Sequence, residues 1–508
     1  MRIKSSILNF TVAMIGQSLG IFVSFFSRIV FIRVLGTEYL GINGLFTNIL
    51  SILSLVELGI GPAIIYSLYK PLADHDTEKV KSLMRLYQKA YRGIGTIILI
   101  IGFCFTPFLK VFVKEIPSID HIHLIFLLYV MNAALSYFYS YKRSLIISDQ
   151  KRYIATVYRY SFFIILNIVQ IVVLYITHNF VFFLICQVVI TFTENVLVSK
   201  KADKLYPYLK DNDTQKVDKL TIIQIKKNVS AVIVHKIGGV IVKSTDSLII
   251  SRFIGLVGVG LYSNYLLIIN ALDMVTAQIF TSITASVGNL GATETNEKKK
   301  SIFNVVLFLN FWIFGFMSIC LVVLLNPFIR LWIGEKFVLG TGVVFLIIIN
   351  FYLTGMRKSV LTFRDALGLY WYDRYKPIFE SLINLLFSLL LVQKFGMIGV
   401  FIGTFISTIT TSFWVEPYVL YKYGFKSSVF PYFKRYALYT IVTILTCFLT
   451  MSVTNVFKDE TIINFIFQML SCIVIPNIIF GLMFYRTEEF RYLYNLLSKF
   501  YLRRVKSH

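Results

Sequence analysis

The stretch that decides the fold is ILNFTVAMIGQSLGIFVSFFSRIVF, which runs from Ile7 to Phe31. A helix of about 20 apolar residues crosses the roughly 30 Å hydrocarbon core of a bilayer, so this run is long enough to span. The apolar core of a signal peptide is only about 7–15 residues long, and no small-residue cleavage pattern follows here. We therefore expect a retained transmembrane helix, which carries one charged residue, Arg28, inside its apolar run.

The composition of the whole chain extends this interpretation. Of the 508 residues, 57% are hydrophobic and 15% are charged, and the mean hydropathy is +0.73. Ordinary soluble domains are about 45–50% apolar and about 25% charged. The composition therefore predicts an all-α polytopic membrane protein. The five cysteines lie within apolar runs without C-x-x-C spacing, which predicts neither a zinc site nor a disulfide framework.

Apolar runs predict about fourteen transmembrane helices. They fall at 7–32, 42–69, 93–109, 122–141, 153–176, 180–198, 229–251, 261–290, 302–326, 338–356, 377–393, 396–421, 436–455 and 462–484.

The positive charges in the loops between the predicted spans test the number of transmembrane helices. Of the 50 Lys and Arg residues, 38 lie in the N-terminus and every second connection, whereas 8 lie in the intervening connections. Cytoplasmic loops carry the Lys/Arg excess, so both termini are predicted to be cytoplasmic. The net charge of +24 then belongs to a face beside anionic lipid and does not indicate nucleic-acid binding.

An internal duplication appears when the sequence is offset by 219 residues. Polar and glycine positions coincide at Asn9/Asn228, Gly20/Gly239, Arg33/Arg252, Gly36/Gly255 and Gly41/Gly260. Six helices per copy give both copies the same orientation, and such parallel repeats place a substrate site between lobes that alternate access. The predicted parts are an N-lobe (1–198), a basic cytoplasmic linker (199–227), a C-lobe (228–421), two further helices (422–484) and a basic amphipathic tail (485–508). The tail is expected to form an in-plane helix at the membrane surface.

Four basic residues remain inside the predicted spans: Arg28, Arg159, Lys236 and Lys243. Each raises the free energy of membrane insertion by about 2.5–3.5 kcal/mol near a helix centre. Helices with a structural role only would therefore insert more favourably without these residues. Arg28 and Arg159 lie nearer their helix ends, where their side chains can snorkel to the interface. Positive charges at several depths suit an anionic substrate, and we expect all four residues to contact it.

The alternative is internal pairing. Asp246 lies one turn from Lys243 and is positioned to neutralise it. Further acids within the spans are candidates for pairing with the other three cations, namely Glu57, Glu194, Asp273, Glu380 and Glu416. Asp246 and Glu57 are also the leading candidates for binding a coupling Na⁺ or H⁺.

Two D-x-D motifs, Asp74-His-Asp76 and Asp211-Asn-Asp213, lie in Lys-rich loops too short for a catalytic domain, and no metal site is predicted there. The glycine motif at 255–260 follows no strand and is not a dinucleotide-binding turn. No catalytic residues and no cofactor are predicted.

The N-terminal stretch Ser27-Arg28-Ile-Val-Phe-Ile-Arg33-Val-Leu-Gly36-Thr-Glu-Tyr-Leu-Gly41, continuing to Glu57-Leu-Gly59-Ile-Gly61, resembles the start of Wzx-type polysaccharide flippases. Thr245-Asp246-Ser-Leu-Ile-Ile and Glu416-Pro-Tyr-Val-Leu-Tyr-Lys-Tyr resemble the same family, which belongs to the multidrug/oligosaccharidyl-lipid/polysaccharide exporter (MOP) superfamily. The likeness covers essentially the whole chain.

The resemblance implies a flippase that turns an undecaprenyl-pyrophosphate-linked oligosaccharide from the inner to the outer leaflet of a bacterial cytoplasmic membrane. It further implies that Arg28 contacts the pyrophosphate, and that Lys243 and Asp246 contribute to the same site from the second lobe. A polysaccharide polymerase and a chain-length regulator are the protein partners that the resemblance implies. A multidrug exporter of the same superfamily is the alternative transporter. A polytopic lipid-linked-sugar glycosyltransferase or polymerase is the enzyme alternative, but it should carry large extracytoplasmic loops that this sequence lacks.

Overall fold

The computed structural model describes residues 2–57, 60–112, 119, 121–211, 217, 222, 225, 238–240, 242, 244–456 and 461–505. These residues form helices joined by short turns, and no strand occurs among them. The predicted all-α polytopic class is confirmed. The main helices are α1 (Arg2–Leu53), α2 (Ile60–Ala73), α3 (Thr77–Phe105), α4 (Ile122–Ser148), α5 (Arg152–Thr177), α6 (Phe180–Leu205), α7 (244–253), α8 (Leu256–Thr293), α9 (Asn296–Ile333), α10 (Thr341–Ala366), α11 (Lys376–Phe395), α12 (Met397–Phe425), α13 (Phe430–Thr454), α14 (Ile462–Phe484) and α15 (Glu488–Val505).

Within the described ranges, twelve helices are long and apolar enough to cross a membrane, compared with fourteen predicted. One difference arises because the predicted span 42–69 is not a single helix. It is divided among the end of α1, a 3₁₀ turn at Ser54–Glu57 and the short α2. The other arises because most of the predicted span 229–251 lies outside the described residues. The remaining twelve spans match the predicted runs, several with longer ends.

Glycine divides α1 into two helices. Gly36 adopts φ +85°, ψ −173°, inside what is otherwise continuous helix, and a side chain would strain this conformation. The first part corresponds to the predicted first span, and the second part begins the predicted second span. Gly255, its partner in the sequence repeat, also has a positive φ of +114° and separates α7 from α8. The repeat therefore conserves a glycine turn as well as a sequence pattern.

The helices fall into two compact units, Met1–Ser263 and Asn264–His508. In the first unit, α3 packs on α4, α4 on α6, and α5 on α6. In the second unit, the helices six places later repeat these pairs: α9 packs on α10, α10 on α12, and α11 on α12. The internal duplication thus appears in the helix packing of each unit. Helices α13 and α14, outside the repeat, pack on each other and on α9. The lobe boundaries inferred from the sequence stay a prediction.

A close helix crossing within the first unit joins the two copies of the repeat. A Cβ atom on Gly41 of α1 would clash with the backbone carbonyl of Leu256 in α8. A Cβ on Gly260 would lie 2.6 Å from the backbone carbonyl of Thr37. Thr37 and Leu256 are themselves 219 residues apart, so the two contacts are related by the repeat. Glycine permits this approach because it lets two helix backbones touch inside a membrane.

We expect Gly41→Val and Gly260→Val each to destabilise the folded protein by about 2–3 kcal/mol, because overpacking forces backbone to move. Gly93→Val is the matched control, since no atom lies within 4 Å of a Cβ at Gly93. Thermal unfolding of the purified protein in detergent measures the effect. Equal melting temperatures for all three variants would contradict the crossing.

The described residues of the predicted linker pack against other helices of the first unit. Helix α6 continues through Lys200, Lys201 and Lys204 to Leu205, so the basic stretch begins as helix. Val217 and Ile225 then pack on a buried cluster that includes Leu83 and Leu145. Tyr206 donates a hydrogen bond to Asp149 at 2.7 Å, and burial together with this carboxylate raises the pKa of the Tyr206 phenol, which stays a neutral donor.

The tail forms the predicted helix, α15. An ion pair between Glu489 and Arg435 of α13 fixes its start, and the Phe490 ring lies 5.9 Å from the ring of Trp312 on α9. Its placement in the plane of the membrane stays a prediction.

Candidate functional site

Arg28 lies in the first part of α1, eight residues before the Gly36 turn, or about 12 Å along a helix. Its side chain is partly buried, and its Nη1 donates a hydrogen bond to Ser263 Oγ of α8 at 3.1 Å. Ser263 lies eight residues beyond Gly255, the glycine that the repeat pairs with Gly36. The Ser263 hydroxyl itself donates to the Gly260 carbonyl at 2.7 Å, beside the glycine crossing.

The described groups that interact with Arg28 are the hydroxyls of Ser263 and Tyr129, and among the described residues no carboxylate lies within ion-pair distance of it. The Tyr129 phenol is near enough to interact electrostatically with the guanidinium, and its Oη donates a hydrogen bond to Asn43 Oδ1 on the second part of α1. A buried guanidinium has five N–H donors and keeps its charge. Because its described partners are neutral, Arg28 retains both positive charge and donor capacity for an anion.

The repeat does not conserve this cation. The position equivalent to Arg28 is Ser247 on α7, which is buried. Neighbouring positions 244–247 are also polar and buried. The two copies therefore offer different chemistry at one depth, a guanidinium in the first and small polar groups with Asp246 in the second.

Asp246 lies on α7 with 6% of its surface exposed, near the Tyr262 phenol, with which it interacts electrostatically. Lys236 and Lys243 lie outside the described residues, so their contact with a substrate, and the pairing of Lys243 with Asp246, stay predictions. Arg159 is exposed on α5, seven residues into the helix. Its role in binding also stays a prediction.

Glu57 ends the 3₁₀ turn between α1 and α2. Tyr91 of α3 donates to one carboxylate oxygen at 3.2 Å, and Tyr137 of α4 donates to the other at 3.1 Å. Within the part of the chain that is described, no Lys or Arg pairs with Glu57. Two phenols orient this carboxylate without neutralising it, a geometry suited to exchange of a proton or a monovalent cation.

The other acids have partners different from those the sequence suggested. Among the described residues, none of them pairs with Arg28 or Arg159, and any pairing with Lys236 or Lys243 lies outside the described residues. Instead Glu194 pairs with Arg143 at 2.5 Å, and Asp273 pairs with Lys358 at 2.9 Å. These partner cations were assigned to cytoplasmic connections, and the structure places them on the adjoining helices.

A buried cluster of four charged side chains, the largest among the described residues, was not predicted. Glu416 of α12, whose side chain has no exposed surface, accepts two hydrogen bonds from Arg357 at 2.7 and 2.9 Å and one from Lys376 at 2.6 Å. Glu380 pairs with the same two cations at 3.4 and 3.2 Å. The cluster holds two positive and two negative charges, so it is internally neutral. We refer to Arg357, Lys376, Glu380 and Glu416 as the α10–α12 cluster.

A local distortion of α12 accompanies this cluster. Pro417 lies inside the helix, and π-helical turns occupy Thr408–Ser412 and Leu420–Phe425 on either side. Proline lacks an N–H donor, and π-turns absorb the resulting irregularity and often mark functional positions. Two features of the sequence could have indicated this cluster: the Glu416-Pro417 pair, and the spacing of one helical turn between Lys376 and Glu380.

No protein-family model matches the chain, and no curated protein matches it. Several solved structures do. The lipid II flippase MurJ in an inward closed conformation is 14% identical, with a TM-score of 0.65, and the match covers 95% of this chain and 99% of MurJ. An inward-facing multidrug resistance MATE family transporter of the MOP superfamily is 14% identical, with a TM-score of 0.64, covering 81% of this chain and 98% of that one.

The fold of this chain is similar to the fold of these solved transporters. A third match is a MOP superfamily transporter from Pyrococcus furiosus for which a reversed polarity of the binding pocket has been described. It is 15% identical, with a TM-score of 0.57, and covers 84% of this chain and 96% of that one. The fold predicted from the resemblance is confirmed, and the matched proteins are transporters and a flippase.

Proposed function

We propose that the chain is a flippase that moves undecaprenyl-pyrophosphate-linked oligosaccharide units from the inner to the outer leaflet of a bacterial cytoplasmic membrane. It would thereby supply the synthesis of a cell-surface polysaccharide: a capsule, an exopolysaccharide or an O-antigen. Arg28 carries the proposal, because its described partners are a serine hydroxyl and neutral polar groups rather than a carboxylate. A pyrophosphate crossing a bilayer requires such a group, since an isolated buried anion costs tens of kcal/mol by Born solvation.

The role proposed for Arg28 follows from its shape. A planar guanidinium holds two phosphate oxygens at once, which fixes the orientation of the head group as well as its charge. Ser263 would orient the guanidinium before the substrate arrives. Lys243, Lys236 and Arg159 are proposed to extend the positive path to other depths, while Glu57 and Asp246 are proposed to bind the coupling H⁺ or Na⁺.

A multidrug exporter is the second candidate, because MATE transporters share the fold. An unneutralised arginine disfavours the cationic drugs that such a transporter would carry. The longer match with the lipid II flippase supports the flippase, but it is a likeness of fold alone.

A deletion strain tests the proposed function. Deletion of the gene should make pyrophosphate-linked oligosaccharide units accumulate on the cytoplasmic leaflet. The deletion strain should also lack one surface polysaccharide. A strain that exports its surface polysaccharides normally, and instead becomes sensitive to cationic drugs, would favour the exporter.

The orientation, with both termini cytoplasmic, is part of the proposal. Cysteines introduced at Asp211 and Asn296 should be labelled by an impermeant maleimide only from the cytoplasmic side, and a cysteine at Lys336 only from outside. Asp211 and Lys336 are exposed, and Asn296 is partly exposed. Labelling at Lys336 from the cytoplasm would contradict the proposed orientation.

A further inference from the structure

The turn between α12 and α13 borders an open cavity of about 580 Å³. Its lining includes Tyr418, Lys422, Lys426, Ser427 and Ser428. Lys422 and Lys426 are four residues apart, and both are exposed. The Lys422 ammonium donates to Tyr418 Oη at 2.8 Å, which holds it at the cavity wall. We refer to this site as the α12–α13 pocket.

One side chain in the pocket has a polar atom without a partner. Ser427 Oγ is buried and makes no hydrogen bond within the described part of the chain. Its backbone N–H donates to the Tyr421 carbonyl at 3.0 Å, so the position of the residue is fixed. Lys426, immediately before it, adopts a left-handed conformation with φ +52°. The pocket is therefore lined by a hydroxyl without a described partner as well as by two lysines.

The electrostatics of the pocket favour an anion. Helix α12 ends at Phe425 and helix α13 begins at Phe430, so the negative and positive ends of their dipoles oppose each other at this turn, and the two lysines supply the positive charge. No carboxylate is among the lining residues. The nearest acid along α12, Glu416, has no exposed surface and is neutralised by Arg357 and Lys376. The ligand should therefore carry a phosphate or a comparable anionic group.

Aromatic residues around the pocket indicate that the anion is attached to a lipid. Tyr423 stacks on Tyr372 with ring centroids 3.7 Å apart, and Arg374 lies 3.9 Å from the centroid of the exposed Trp371. Phe430, next to the pocket, is 73% exposed. Tyrosine and tryptophan concentrate at the level of lipid head groups, and basic residues there attract anionic lipid.

We propose that the α12–α13 pocket binds the head group of an anionic phospholipid such as phosphatidylglycerol. Lys422, Lys426 and Ser427 hold the phosphate, and the acyl chains extend past Phe430. The site lies in the second unit, whereas Arg28 belongs to the first, and it does not depend on the proposed transport activity.

Binding of defined lipids to the purified full chain tests the site, with native mass spectrometry as the readout. Phosphatidylglycerol should bind at least about tenfold more tightly than phosphatidylcholine. The double variant Lys422→Gln/Lys426→Gln should weaken the binding of phosphatidylglycerol about 30-fold, because each lysine beside anionic lipid contributes about fivefold to the affinity. Ser427→Ala should weaken it about fivefold, the typical loss of one hydrogen bond.

Lys336→Gln/Lys394→Gln is the matched control, since both lysines are exposed in the same unit but outside the pocket. It should change the affinity less than twofold. Equal losses in the two double variants would overturn the proposal, because binding would then follow net charge alone. Glycerol 1-phosphate bound as tightly as phosphatidylglycerol would also overturn it, since the ligand would then be a soluble phosphate. Melting temperatures measured without lipid report whether each variant is folded.

Discussion

Glu416→Gln should destabilise the protein by about 3–5 kcal/mol, the cost of leaving buried charge uncompensated. In the native protein the Glu416 carboxylate accepts three hydrogen bonds from Arg357 and Lys376. Without its charge, the α10–α12 cluster keeps two cations and one anion, Glu380. Thermal or denaturant unfolding in detergent gives the difference, and a drop in membrane-inserted yield is expected with it.

Two further variants distinguish this account from a general loss of packing. Glu335→Gln removes the acid of an exposed pair with Arg330 and should cost no more than about 1 kcal/mol. Adding Lys376→Met to Glu416→Gln restores the balance of charge and should recover part of the lost stability. A double variant less stable than Glu416→Gln alone would show that Lys376 stabilises the fold by means other than charge neutralisation.

Arg28→Ala should lower the transport rate roughly 100-fold, because charge-assisted hydrogen bonds are worth about 1.5–3 kcal/mol each. Export of the surface polysaccharide by a complemented deletion strain measures the loss at matched protein levels. Arg28→Lys should recover only part of the rate, since a lysine cannot bind phosphate bidentately. Arg33→Ala is the control, because Arg33 is exposed five residues further along α1 and should tolerate the change. Equal transport by the Arg28→Ala and Arg33→Ala variants would remove Arg28 from the substrate path.

Lys243 has its own test. Lys243→Ala alone should abolish transport while the protein still inserts, if this lysine binds the substrate. If it only neutralises Asp246, Lys243→Ala combined with Asp246→Ala should restore transport by removing both charges together. Rescue at wild-type protein levels would assign Lys243 to the scaffold.

Much of the fold was predictable because membrane insertion constrains sequence strongly. Apolar runs gave the helices, and matched glycines such as Gly41 and Gly260 gave the duplication. The structure adds what those glycines do: each brings α1 and α8 into backbone contact. The predicted span 42–69 was wrong as a single helix, because hydropathy does not register the 3₁₀ turn that ends at Glu57.

The candidate site was only partly predictable. A lone arginine in an apolar run identified Arg28, but no sequence pattern indicated that Ser263, 235 residues away, would be its partner. The α10–α12 cluster was missed because loop counting assigned Arg357 and Lys376 to a cytoplasmic connection. Sequence separation hides such clusters, since Glu416 meets Arg357 across 59 residues. The α12–α13 pocket likewise depends on the left-handed turn at Lys426, which no local residue preference predicts.

The measurement that tests the central claim most directly is translocation by the purified chain in proteoliposomes. Two fluorescent lipids should be compared that share one oligosaccharide and one prenyl tail but differ in the linkage, pyrophosphate in one and an uncharged linker in the other. The account predicts rapid translocation of the pyrophosphate lipid only, reduced roughly 100-fold by Arg28→Ala. Equal translocation of both lipids, or transport of a cationic dye in place of either, would contradict it.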